Sequence, residues 1–128
     1  MIVAMHVASG ALAGALAGSR ARAAVLGPLL HAALDAIPHE DIPSRRFEEA
    51  SGVAALLLLA SRRGIDAAVV GGALSASPDL EHVLPLPKPG GKGLFPSHRL
   101  PHGGHGRVVP AWAQLVVAAA ILAVLLRR

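Results

Sequence analysis

Apolar residues in this chain run in long blocks, broken by short polar or Gly/Pro-containing punctuation. The first block, from about Ile2 to Gly18, is rich in Ala and Gly and reads as a helix; Ser19-Arg20-Ala21-Arg22 is its turn. The second runs from about Ala23 to Ile37 and stops at Pro38, which disfavours helical geometry at the residue before it. A polar loop follows from His39 to Arg46. The third helix spans about Phe47 to Ser61. Glu48 and Glu49 lie in its first turn and Arg62/Arg63 at its end, an order that suits the helix dipole, and Gly64 is a fitting terminator. The fourth runs from about Ile65 to Ala76, where Ser77-Pro78 ends it. Residues 79–107 form a long Pro/Gly/His-rich loop, and its density of His, Asp and Glu favours a functional role. The fifth helix, 108–126, is uncharged, with Trp112 near one end and Arg127/Arg128 at the other, the pattern of a membrane helix. The pattern predicts one all-α domain, residues 1–128, a bundle of about five helices that is embedded in a membrane. The first four helices are either short spans around a polar centre or a buried bundle anchored by the last.

Composition sharpens this picture. Hydrophobic residues make up 53% of the 128 residues but aromatics only 2%, so Ala, Leu, Val and Gly carry the apolar mass and suit closely packed helices. There is no cysteine, which excludes disulfides and thiolate metal sites; any metal must use nitrogen or oxygen donors. The net charge of +4 comes from arginines paired at segment ends, with no basic stripe and no interleaved aromatics, so nucleic acid is not an expected partner. Residues 1–18 lack the basic start of a signal peptide and are expected to be a retained first helix.

All seven histidines fall in three stretches: around His6, in His31 to Asp41, and between Asp79 and His105. His31 and Asp35, one helical turn apart, share a face of an apolar helix, a costly arrangement unless something satisfies them. Alternating the directions of five helices brings His6, His31, Asp35, His39, Asp79, Glu81, His82 and the loop histidines to one end. Arg20, Arg22, Arg62, Arg63, Arg127 and Arg128 then gather at the other, with Asp66 as the acid there. The candidate metal ligands are His6, His31, Asp35, His39, Asp79, His82 and His98. Glu81, pointing elsewhere on its turn, is the candidate general base. Arg99 is a candidate phosphate contact, with a surface arginine as the alternative, and the roles of His102 and His105 stay open. The expected cofactor is a divalent metal, zinc first, with Mn or Fe left open by the nitrogen and oxygen donors.

The N-terminal His6 on a Gly/Ala-rich helix, then Pro78-Asp79-Leu80-Glu81-His82, then Ser97-His98-Arg99, resembles the bacterial membrane-bound metal-dependent hydrolases, which show Pro-Asp-x-Asp-His and a later His-Arg. The run His31-x3-Asp35-x3-His39 is similar to the His-x3-Asp element of the zinc-dependent phospholipase C superfamily. Glu81 stands where the hydrolases usually carry Asp, and their Thr-His-Ser after His-Arg is absent. The resemblance implies an integral protein of the bacterial cytoplasmic membrane, with membrane lipid as a partner. It also implies hydrolysis of a phosphoester or lipid ester. Two alternatives stand beside it: a non-catalytic metal-binding membrane protein, and a metal-free, pH-responsive histidine cluster.

Overall fold

A computed structural model describes residues 1–91, 93–99 and 107–127. The helices are α1 (Val3–Ala17), α2 (Arg20–Asp35), α3 (Arg45–Arg63), α4 (Ala67–Ala76), the single turn α5 (Leu80–Val83) and α6 (Ala111–Leu126). The chain is all-α: among the described residues there is no strand, only an isolated parallel bridge between His39 and Val109.

Local chemistry sets the boundaries. Ser19 accepts a hydrogen bond from the Arg22 amide at 3.5 Å, so α2 begins inside the expected turn. Ser44 caps the Phe47 amide at 3.4 Å, and Asp66 caps the Val69 amide at 3.0 Å, starting α3 and α4. Gly18 (φ 64°) and Gly64 (φ 65°) end α1 and α3 in the left-handed region. A 3-10 turn, Ser77–Asp79, carries the chain from α4 straight into α5, so Asp79 and Glu81 ride on a nearly continuous rod. The expected loop is therefore partly helical, with further 3-10 turns at Pro89–Gly91 and Pro96–Arg99. His102 and His105 lie outside the described residues.

Helix α1 is central and packs against α2, α3, α4 and α6. Small residues fix its distance from α4. A Cβ on Gly10 would sit 2.4 Å from the Gly71 carbonyl oxygen, and one on Gly14 would sit 2.1 Å from the Ala67 oxygen. The two backbones touch, which is what the Ala/Gly-rich pattern makes possible. Val7, Ala11, Ala55, Leu59, Ala68, Val69 and Leu125 form the core. At the end remote from the histidines, Arg63 donates to Asp66 at 2.8 Å and to the Leu125 carbonyl at 2.8 Å, joining α3, α4 and α6.

Helix α6 differs from expectation. Val109 is taken by the bridge to His39 and Pro110 occupies the N-cap, so the helix starts at Ala111 and is 16 residues long. At about 1.5 Å per residue this is roughly 24 Å, short of the ~30 Å hydrocarbon core. Among the described residues no helix is long and apolar enough to cross a membrane, and the span expected over 108–126 is not supported. Large apolar side chains nevertheless face outward, among them Val25, Leu29, Leu57, Trp112 and Val116.

Candidate metal centre

The centre lies at the histidine end. Asp35, the last residue of α2, is its hub, with a side chain only 5% exposed. Oδ2 lies 2.9 Å from His31 Nε2 and 3.5 Å from His98 Nε2; Oδ1 lies 3.1 Å from His6 Nε2 and accepts from the Met1 amino group at 2.9 Å. His31 Nε2 and His98 Nε2 are 3.1 Å apart. Asp79 Oδ1 stands 4.0 Å from His31 Nε2 and 3.7 Å from His98 Nε2. The side-chain cap that Asp79 could have made at the start of α5 is absent, because its carboxylate turns into the centre instead.

The tautomers of both key imidazoles are set by their outer partners. His31, fully buried, donates Nδ1–H to the Ser75 carbonyl at 2.8 Å. His98 Nδ1 meets Glu81 Oε1 at 2.5 Å. In each neutral ring the remaining Nε2 is then a bare lone pair. Two lone pairs and a carboxylate oxygen thus face one another at 2.9 to 3.5 Å. Such an assembly is repulsive until a proton or a cation enters it.

The spacing suits a metal. Zinc bonds of about 2.0–2.1 Å imply edges of roughly 3.3–3.5 Å between ligand atoms in a tetrahedron. The edges that join the His31 and His98 Nε2 atoms to each other and to Asp35 and Asp79 run from 2.9 to 4.0 Å. Among the described residues three sets could hold a metal ion: His31/Asp35/His98, His6/His31/Asp79 and Asp79/His82/His98, the donor atoms of each lying within 4.8 Å of one another.

The remaining candidates take different places. His6 is fully buried, its ring stacked on that of His31 with centroids 4.0 Å apart, and its Nδ1 has no partner among the described residues. His82 is exposed on the wall, its ring 4.4 Å from that of His98. His39 joins none of the three sets. It donates Nδ1–H to the Ile37 carbonyl at 2.7 Å, while Nε2 contacts the Met1 amino group and lies 3.3 Å from Asp41. His39 lies in the loop beyond Pro38, and these partners hold its ring there.

Glu81 departs furthest from its expected role as general base. It is 4% exposed and both of its oxygens are engaged. Oε2 accepts from the Leu94 and Phe95 amides at 2.5 and 3.0 Å, and Oε1 meets His98. Burial opposes its charge, but the His98 ring and the two amides outweigh that and hold its carboxyl below the usual range. Arg99 is likewise committed, donating to the Gly93 carbonyl at 2.7 Å, so it staples its own segment rather than facing the centre.

Asp79 is the group left with capacity. Its Oδ2 is buried without a partner among the described residues, and burial pushes its carboxyl up to about 6. It lines a pocket of about 310 Å³ together with Asp35, His39, His82 and His98, with Asp41, Arg45, Glu48 and Glu49 also contributing. Sequence reasoning missed Gln114, a buried amide inside the most apolar helix. It accepts from the Ile2 amide at 3.0 Å and donates to the Glu40 carbonyl at 2.8 Å, tying the start of the chain and the loop after α2 to α6. A lone amide in an otherwise apolar helix was the available signal. No protein-family profile, curated protein or solved structure matches this chain.

Proposed function

We propose that the chain is a metal-dependent hydrolase with a divalent cation, zinc first, held by His31, Asp35 and His98. The carrying observation is the convergence of two Nε2 atoms, on rings whose Nδ1 atoms are taken by Ser75 and Glu81, on one buried carboxylate. Mn or Fe fits the same donors. Catalytic zinc sites keep three protein ligands and an open position, and the closest three-donor set here leaves Asp79 slightly withdrawn on the pocket side. The cation would supply Lewis acidity and lower the pKa of water. Asp79, which lines the pocket and keeps Oδ2 without a partner among the described residues, would take the proton from the attacking water. His6 and the Met1 amino group hold Asp35 in place from its other oxygen.

The second reading is a closed, non-catalytic site in which Asp79 completes four-fold coordination; its 3.7 and 4.0 Å edges support that arrangement. Asp79→Asn separates the two. In the hydrolase, zinc content measured by mass spectrometry is retained while turnover of bis(p-nitrophenyl) phosphate and of a p-nitrophenyl ester is lost. In the closed site, zinc falls with the carboxylate and the wild type turns over neither compound. Asp35→Ala abolishes zinc binding under both readings, and wild type purified with no affinity for zinc, Mn or Fe refutes both.

We place this activity at the bacterial cytoplasmic membrane, on a phosphoester or ester borne by a lipid. The outward apolar residues of α2, α3 and α6 support the lipid contact, as do the exposed Arg20, Arg22, Arg62 and Arg127. Co-flotation with vesicles containing anionic lipid tests it; a chain that stays at the bottom of the gradient overturns it.

A further inference from the structure

The donors of the centre differ in how they are held. His31 and Asp35 share α2, and Asp79 continues α4 through the 3-10 turn. His98 arrives on the short turn Pro96–Arg99, whose own backbone bond, the His98 amide to the Phe95 carbonyl at 3.2 Å, is local. One buried carboxylate joins this segment to the α4–α5 rod. Glu81 Oε2 accepts from the Leu94 and Phe95 amides, and its Oε1 meets His98 Nδ1. The Phe95 ring stands edge-on to His31 at 5.4 Å, so the same segment also closes over the buried imidazole.

Gly93 gives an independent sign that this fit is tight. A Cβ there would lie 2.7 Å from Glu81 Oε1 and 3.1 Å from His98 Cβ. The position needs no unusual φ; what it needs is the absence of a side chain, so that Glu81 and His98 can meet.

We propose that Glu81 is a positioning residue that makes cation loading and the seating of residues 93–99 one event; this rests on the metal reading above. With Glu81 accepting at Nδ1, His98 presents its Nε2 to the centre only when the segment is seated. A cation that draws on that Nε2 therefore stabilises the seated segment, and by linkage the seated segment raises cation affinity by the same factor. Leu94, Phe95 and His98 are all satisfied by a carboxylate that can only accept. An amide at position 81 offers one accepting oxygen and a donor that faces N–H groups.

The test is zinc titration of the full chain, with amide hydrogen exchange at Leu94 and Phe95 as the second readout. In the wild type, zinc slows exchange at these two amides. Glu81→Gln weakens zinc binding by about 10- to 100-fold, the range seen when outer-shell partners of metal ligands are removed, and abolishes the zinc-dependent slowing. Gly93→Ala, which removes no polar group, weakens zinc binding in the same direction; it carries the test alone if Glu81→Gln does not fold. His98→Ala combined with Glu81→Gln binds zinc no more weakly than His98→Ala, because Glu81 acts through His98. Wild-type affinity in both single variants, or a Glu81→Gln loss undiminished on the His98→Ala background, overturns the coupling and leaves the metal reading intact. A wild-type chain that binds no cation overturns the metal reading and the coupling together.

Discussion

Gly10→Ala adds one methyl at the tightest crossing in the bundle, and it tests whether helix proximity governs the chemistry. The new Cβ would lie 2.4 Å from the Gly71 carbonyl oxygen and 2.4 Å from Ser75 Cβ. Both obstacles belong to α4, and the first is backbone, so no rotamer change relieves it. Restoring ordinary contact at 3.4 Å requires α1 and α4 to separate by about 1 Å. Overpacking of this kind costs about 1–3 kcal/mol. The separation also moves Ser75, whose carbonyl fixes the His31 tautomer at 2.8 Å. Metal sites tolerate roughly 0.2 Å in ligand position, so a shift several times larger should weaken zinc binding by at least about tenfold.

The control is Gly64→Ala at the opposite end. Nothing lies within 4 Å of a Cβ there, but φ is +65°, so the methyl carries a backbone penalty of about 1–2 kcal/mol with no steric push. Urea denaturation of the metal-free chains and zinc titration of the folded ones form the assay. Both variants lose stability; only Gly10→Ala loses zinc affinity. Equal zinc affinity in the two variants would refute the claim that the α1–α4 contact positions the centre.

Three further outcomes follow from single contacts. Asp66→Ala removes the α4 cap and the partner of Arg63, and should lower stability by about 0.5–2 kcal/mol in urea melts without changing zinc affinity. Gln114→Leu leaves the buried Ile2 amide unpaired and should cost about 1–3 kcal/mol; a melt unchanged from wild type would show that this amide finds another partner. In the metal-free chain, burial raises the Asp79 carboxyl from 3.8 to about 6, so folding favours its protonated form. Its stabilising contribution is full below about pH 4 and is lost as pH rises through 6. At about 1.4 kcal/mol per pH unit the difference approaches 3 kcal/mol as an upper bound. Denaturation midpoints between pH 4 and 7 should therefore fall with rising pH from this group, and Asp79→Asn should flatten that part of the profile.

Much of the architecture was legible because it depends on period and punctuation. The apolar blocks and the stop at Gly64 are local signals, and the helix order follows from them; the caps at Ser19, Ser44 and Asp66 that set the observed starts were not read from the pattern. Alternating helix directions was then enough to bring His6, His31, Asp35, Asp79 and His98 together. The rest has a different origin. His39 falls in the loop beyond Pro38, where no period fixes its direction, and its ring is taken by Ile37, Met1 and Asp41. Glu81 does point away from its neighbours, as a one-turn helix requires. What it points at, the amides of Leu94 and Phe95 and the ring of His98, comes from a segment with no periodicity to read. Gln114 was overlooked for the converse reason, since a single amide barely alters an apolar stretch although it fixes Ile2 and Glu40. Spacing along one element therefore tells which residues gather, while the chemistry of each is decided by the atom facing it from another element. Glu81 and Asp79 make the point within three positions: one carboxylate is saturated by three donors, while the other keeps a buried oxygen with no partner among the described residues.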